Sequence, residues 1–576
     1  SEESHKAGLV KNEPILVIIG NPPYSGNSEN SNDWTNKLLK TDLNGAQSYY
    51  KVNDAPLKER NSKMLQDDYV KFLRFAQWKI QKAGRGIVAM ITNHAWLDNP
   101  TFRGMRQSLM GTFDQIYVLD LHGNSMKKET ALDGGKDENV FDIRVGVAIS
   151  IFIKDGHEKH KNQVQHFGLF GLRKQKYSYL ENEDVTNTDW TSISPKKDFY
   201  LFSPINEENL EEYKQFSSLT DIFPVNSSGV KTHRDSFIID FDKKNLETRI
   251  NLFRDKTIPD ELLTQAYGLK DTRDWSMRGA RVNLAGNEDW RKNIIQIEYR
   301  PFDKRYIYYS ADMIDWPRSE LYQNMKYSNL AILIGRQGQV VGKSFPWNLA
   351  FIVDGISDTN MFYRGGATVC PLHIYKDGKK NGLFSSLTET KSPNINPKIL
   401  SMLQDSIKIT VEPEDFFFYV YAILFSPTYR KKYADFLNSD FPRIPFTSDP
   451  EVFRGMARLG ERLKDLHLLQ SKELEDSTVR FQGRGEDLIQ FRRYDPDQKR
   501  LYINNDKYFE NLEPEVWEYQ IGGYQVLDKY IKDRKGRPLS DPRHIIRIAT
   551  ALEKTIAIQN EIDALYAALE ESILGG

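Results

Sequence analysis

Ile15-Leu16-Val17-Ile18-Ile19-Gly20-Asn21-Pro22-Pro23-Tyr24 decides how the first part of the chain folds. The short apolar run, rich in β-branched residues, reads as a strand. Two prolines then fix φ and withdraw backbone donors, so the strand passes into a rigid turn with an amide and a phenol at its tip. Working outward, Asp68 to Ile80 carries apolar residues at helical spacing and is stopped by Gly84-Arg85-Gly86. Ile87 to Thr92 reads as a second strand, this one buried, and Phe102 to Met110 as a helix. Gln115 to Leu121 reads as a third strand and Val145 to Lys154 as a fourth. Strands alternating with helices predict a parallel, doubly wound α/β sheet. No helix separates Leu121 from Val145, which leaves an antiparallel closing pair open.

At 576 residues the chain is too long for one ordinary domain. An apolar fraction of 39% suffices for real cores, and the 29 Tyr and 31 Phe favour a β-rich portion. The single cysteine, Cys370, excludes a disulfide framework and any Cys-based zinc site, and fits a reducing cytoplasm. No metal-ligand spacing is evident, so no metal is expected. No apolar run approaches membrane length and no signal peptide opens the chain, so no membrane partner is expected. A net charge of −1 argues against indiscriminate nucleic-acid binding, yet leaves room for a basic face.

Lys154 to Lys161, charged and histidine-containing, reads as a connector that closes a first domain over 1–160. Beyond it the βα alternation stops. Ser236 to Phe241, Arg305 to Tyr309, Asn329 to Gly335 and Leu349 to Asp354 look like short strands of a β-rich or mixed domain over 161–397. Lys376 to Pro397 has linker composition. From Pro413 helices dominate a third region, 398–576. It ends in one or two amphipathic helices with an apolar stripe at Ile548, Leu552, Ile556, Ile562, Leu565 and Leu569.

A strand ending in Asn-Pro-Pro-Tyr resembles the catalytic loop of amino-directed DNA methyltransferases, most often those acting on adenine. The order of strands and helices after it resembles the second half of their gamma class. The resemblance implies a partial Rossmann-like methyltransferase sheet, with S-adenosylmethionine as the methyl donor. It makes Asn21, Pro22, Pro23 and Tyr24 catalytic, with Asn21 also facing the cofactor. The exocyclic amine of adenine is a poor nucleophile. The Asn21 side-chain oxygen and the Pro22 carbonyl would hold its two N–H bonds and favour attack by the nitrogen lone pair. Tyr24 would stack on a base extruded from the duplex, a contact of roughly 1–3 kcal/mol. Asn139 to Ile149 looks like a later motif of the same enzymes, in which Phe141 packs on the flipped base; a core phenylalanine at a strand entrance is the other reading. These enzymes hold the cofactor with a Gly-rich loop before the catalytic strand. The twenty residues before Asn21 contain none, so the chain is expected to be a fragment with most of the cofactor site upstream.

Four further phrases are similar to the carboxyl-terminal specificity part of type ISP restriction–modification enzymes. They are Glu298 to Tyr309, Pro371 to Tyr375, Glu414 to Leu424 leading to Pro427 and Phe441 to Pro445, and Tyr519 to Tyr524. That resemblance implies a mixed α+β target-recognition region with a helical carboxyl terminus, and double-stranded DNA as partner. It also implies an upstream methyltransferase half, a helicase-like ATPase and a nuclease in one bacterial, cytoplasmic polypeptide. Candidate DNA contacts are Lys231, Thr232, Arg234, Arg300, Arg305 and Arg336, with Arg318, Arg480, Arg484, Arg492 and Arg493 behind them; each is open to a structural pairing role instead. Gly338 to Ser344 imitates a phosphate-binding loop, but its glycines are too closely spaced and it reads as a turn. Two other functions remain open: a DNA-specificity module without activity of its own, and a stand-alone phage-defence methyltransferase.

Overall fold

The computed structural model describes residues 3, 6, 9, 14–24, 28, 31–43, 45–57, 62–156, 163–197, 199–204, 208–272, 275–335, 346–376 and 390–574. These form two compact units divided at residue 208. Arg336, the imitation phosphate loop and most of the linker-like segment lie outside the described residues.

The first unit contains β1 (Val17–Gly20), α1 (Asp33–Lys40), α2 (Asp68–Ala83), β2 (Gly86–Asn93), α3 (Arg103–Thr112), β3 (Gln115–Asp120), β4 (Val147–Lys154), β5 (Val164–Gly168), α4 (Arg173–Asn182) and β6 (Thr191–Ile193). The helix expected after the turn, α2, forms because Tyr69, Val70, Leu73, Ala76 and Ile80 make one buried stripe. Gly84, left-handed at φ 81°, ends it. Gly86 then lets β2 start tightly beside β1: a Cβ there would lie 2.5 Å from the Leu16 carbonyl oxygen.

The sheet order is β1-β2-β4-β3-β5-β6. Strand β1 is parallel to β2, β4 is antiparallel to both β2 and β3, and β5 is parallel to β3. The sheet is therefore mixed: the antiparallel closing pair that the sequence leaves open is present, and β4 lies between β2 and β3. With no α-helix between β3 and β4, the chain returns antiparallel and inserts β4 between its predecessors. Strands β1, β2 and β3 still share one direction, so their carboxyl ends lie on one edge.

The expected boundary at 160 is also corrected, since β5 and β6 extend the same sheet. The buried Arg106 guanidinium explains why the unit reaches past residue 200. It donates to the carbonyls of Trp96, Asn99, Phe199 and Tyr200 at 2.6–2.9 Å. Phe202 then seats edge-on against Trp96.

Among its described residues the second unit holds three four-stranded sheets, one of them within residues 480–510; the other two draw on the middle of the chain. One joins β7 (Ser227–Ser228), β11 (Ala331–Ile334), β12 (Ala350–Val353) and β14 (Thr368–Pro371). The other joins β8 (Ile239–Asp240), β9 (Ile294–Arg300), β10 (Asp303–Tyr308) and β13 (Ile356–Ser357). The segment expected as a strand at 236–241 is mostly a short helix, Asp235–Ile238, before β8. The helices α5 (Pro413–Phe425), α6 (Pro450–His467) and α7 (Pro542–Glu571) pack together. Among the described residues no compact boundary falls near 397, where the sequence predicts one. His467 at the end of α6 stacks on Phe351 of β12, so helices and strands share one core. The terminal stripe is one helix burying Ile548, Leu552, Ile558, Ile562, Tyr566 and Leu569.

Candidate active site

Asn21 to Tyr24 leave the carboxyl end of β1, the edge at which open α/β sheets bind ligands. Asn21 and Pro23 are exposed, Pro22 is buried and Tyr24 is half-buried. The Tyr24 hydroxyl lies 3.2 Å from both the Asn21 side-chain oxygen and the Ile91 carbonyl on β2. Its single proton is shared between them, so the phenol ties the amide to the neighbouring strand. Burial pushes the Tyr24 phenol up to about 12, which keeps that proton in place at neutral pH. The ring meets Tyr69 edge-on at 6.2 Å.

Leu119, Leu121, Val140 and Val147 form a small apolar cluster, and both Tyr24 and Phe141 pack against it. Two aromatic rings 117 positions apart in sequence thus pack on one apolar cluster, and one of them, Tyr24, also hydrogen-bonds Asn21. Phe141 is half-buried, and its N–H donates to the Asn139 side chain at 2.9 Å.

The same edge carries a group that the sequence reading missed. His94 follows β2, and Asp120 and His122 stand at the end of β3. They place one potential ligand atom each within 4.8 Å of one another, close enough to share a metal ion. The atoms have protein partners already. His94 Nδ1 lies 3.0 Å from Asp120, and its Nε2 lies 3.1 Å from the Asn124 amide. His122 Nδ1 lies 2.9 Å from Glu129, and its ring stacks on Phe170. Burial opposes ionisation of Asp120, but the facing His122 and His94 hold it well below the usual carboxylate range. Burial likewise works against Glu129, but the His122 hydrogen bond and the two imidazoles bring it down to about 2. His94 is raised, because Asp120 and Glu129 outweigh its burial. Only the turn at 120–122 signalled this group in sequence; the partners come from separate strands and loops.

In the second unit the candidate DNA contacts take different positions. Lys231 is half-buried, with its ammonium 4.6 Å from the Trp316 ring centre; Trp316 is 43% exposed, and Arg318 faces the same ring at 5.0 Å. Thr232 is buried and bonds to Asp235. Arg234 is buried, pairs with Asp315 and lies 3.9 Å from the Trp275 ring centre. Arg300 pairs with the buried Asp358 at 2.9 Å, against the Tyr299 ring. Arg305 bridges Asp303 and Asp533, both at 2.7 Å. A guanidinium already enclosed by carboxylates and aromatic rings does not present its donors to a base edge. This placement argues against direct contact by Thr232, Arg234, Arg300 and Arg305, and leaves Lys231 at the surface. Of the arginines behind them, Arg492 pairs with Asp528, while Arg480, Arg484 and Arg493 are exposed.

Residues 221–562 match the family model described as the Type ISP C-terminal specificity domain. The chain belongs to that family. Residues 6–126 match the model of the Eco57I restriction-modification methylase, a range that includes the Asn21 turn and His122 but ends before Phe141. No curated protein matches. Among solved structures, the chain is similar to the ATP-dependent Type ISP restriction-modification enzyme LlaBIII bound to DNA. The identity is 22% and the TM-score 0.76, over 98% of this chain and 38% of that one. It is similar to the DrdV–DNA complex at 22% identity and TM-score 0.73, over 97% and 58%. A nuclease-deletion mutant of the Type ISP enzyme LlaGI, in complex with a DNA substrate mimic, matches at 21% and 0.71, over 97% and 45%. These likenesses establish the α/β fold and its mixed, helix-ended continuation. The chain spans 38–58% of the length of the structures it matches. Among the described residues no helix is long and apolar enough to cross a membrane.

Proposed function

We propose that the chain carries the target-base side of an adenine-N6 DNA methyltransferase, together with the target-recognition region, of a Type ISP restriction–modification enzyme. The observation that supports this most is the exposed Asn21 amide held by Tyr24, whose ring rests on the same apolar cluster as that of Phe141. Duplex DNA is the substrate, and the adenine leaves the stack to reach the turn. Asn21 and the Pro22 carbonyl accept the two N–H bonds of its amine, while Tyr24, held protonated, keeps the Asn21 oxygen oriented. The amine nitrogen bonds to the incoming methyl carbon and loses a proton to solvent. S-adenosylmethionine, when bound, would supply the methyl group, and its sulfur would keep the electron pair of the broken carbon–sulfur bond. Asn21 would face that donor, with most of the donor's site expected upstream of the Asn21 turn. Lys231, with Trp316 and Arg318 beside it, contacts the DNA backbone in the second unit.

In the complete polypeptide, Asn21→Ala is expected to lower methyl transfer about 100-fold or more, as removal of a preorganised polar group does, while duplex binding survives. The measurement is incorporation of labelled methyl groups, with the product identified by nucleoside digestion. Retained transfer, or label found on cytosine, would refute the assignment. Specific duplex binding with no cofactor binding would instead favour a specificity module without activity.

A further inference from the structure

Phe141 sits in a loop whose backbone is gripped by one helix. Helix α4 buries a single residue fully, and that residue is Lys176. Apolar packing alone therefore does not explain why α4 lies where it does. The three ammonium hydrogens of Lys176 all have acceptors: Asp137 at 2.7 Å, the Leu121 carbonyl at 2.7 Å and the Glu138 carbonyl at 2.8 Å. Both side chains of the Lys176–Asp137 pair are 0% exposed. The Asp137 carboxylate is completed by the N–H groups of Gly123 and Gly171 at 2.6 and 2.8 Å.

The grip continues along the loop without a gap. Arg173 Nε donates to the Asn139 carbonyl at 2.7 Å, and its Nη2 to the Phe141 carbonyl at 3.0 Å. Tyr177 donates its hydroxyl to the Val140 carbonyl at 2.5 Å. Every carbonyl from Glu138 to Phe141 thus accepts a hydrogen bond from a side chain of α4. From the other side, Asn139 donates to the carbonyls of Gly123 and Val145. Gly123, at φ 77°, lets the two segments touch: a Cβ there would lie 2.5 Å from Asn139 Cα. A loop phenylalanine with only half its ring buried needs such fixing to meet a ligand in one place, because a freely rotating loop would lose the contact to entropy.

We infer that α4 is the positioning element of the target-base site, with Lys176, Arg173 and Tyr177 holding the 137–142 loop so that Phe141 faces the extruded base. This rests on the adenine-methyltransferase reading given above. The three residues lie between the two family matches, in a stretch to which neither assigns a role. Because they touch backbone and not base, their effect passes through Phe141.

The test uses the complete polypeptide and two variants. Arg173→Ala/Tyr177→Phe alters side chains that are 36% and 43% exposed, so the fold is expected to survive. Lys176→Met removes all three donors at nearly constant length, and the double variant decides alone if Lys176→Met fails to fold. The double variant is expected to lower kcat on a matched duplex about tenfold, a fraction of one base-stacking contact. DNA affinity stays within about twofold. The fluorescence rise of 2-aminopurine placed at the target adenine shrinks. Mispairing the target lowers the cost of extrusion and is expected to restore kcat to near the wild-type value. An unchanged kcat, or an equal loss on matched and mispaired duplexes, would overturn the positioning role. A wild-type protein that neither methylates adenine nor raises the 2-aminopurine signal would overturn the proposed function, and this inference with it.

Discussion

At the edge of the first sheet the polar group assigned to chemistry, Asn21, stands exposed, while His94 and Asp120 on the same edge are buried and paired with each other. In the second unit the arginines placed among aromatic residues turn inward, and Lys231 with Trp316 stays at the surface. Both units enclose charged and titratable groups, but with different partners. Asp120, Glu129, His94 and His122 form a compact network at a ligand-binding edge. Arg300 and Arg305 tie strands and helices of one core together, across sequence separations of 58 and 228 residues. A charge enclosed by carboxylates is structural first, because desolvation without its partner costs several kcal/mol. The comparison teaches that an arginine beside tyrosines is a poor guide to DNA contact until its burial is known.

The largest expected effect breaks the second unit. Arg300→Ala leaves Asp358 buried and unpaired and is expected to destabilise the unit by about 3–5 kcal/mol. Denaturant unfolding measures it. Normal stability combined with lost DNA binding would reverse the assignment of Arg300 to the core. The next effect belongs to the network of the first unit. Glu129 is held at about 2 against an ordinary 4.5, so its stabilisation is complete above pH 4.5 and disappears as pH falls toward 2. Its size is at most about 3 kcal/mol. Glu129→Gln should lower stability at pH 6 and flatten the acid limb of the stability curve; a limb parallel to wild type would show that the charge is not held by the histidines. The smallest effect concerns the surface. Lys231→Ala is expected to change stability by no more than about 0.5 kcal/mol. It should reduce the salt dependence of DNA binding by about one phosphate contact. An unchanged salt slope would remove Lys231 from the interface.

The contiguous sequence determined the strand-turn at 15–24, the helix after it, the succession of strands to residue 154 and the helical end. Each of these depends on local periodicity and on the φ restriction of proline, which a linear pattern records. The likeness to Type ISP specificity regions was legible for the same reason, in unbroken phrases such as Glu414 to Leu424. Tertiary structure alone decided the insertion of β4 between β2 and β3, and the extension of the unit past residue 200 by the Arg106 guanidinium. It alone gathered His94, Asp120, His122 and Glu129, and it alone turned Arg300 and Arg305 inward. Phe141 shows both limits at once: the sequence offers a motif around it, but the side chains that hold its loop come from a helix some thirty residues later. Hydrogen bonds and ion pairs between distant segments have no period, so their partners become known only when the chain has folded.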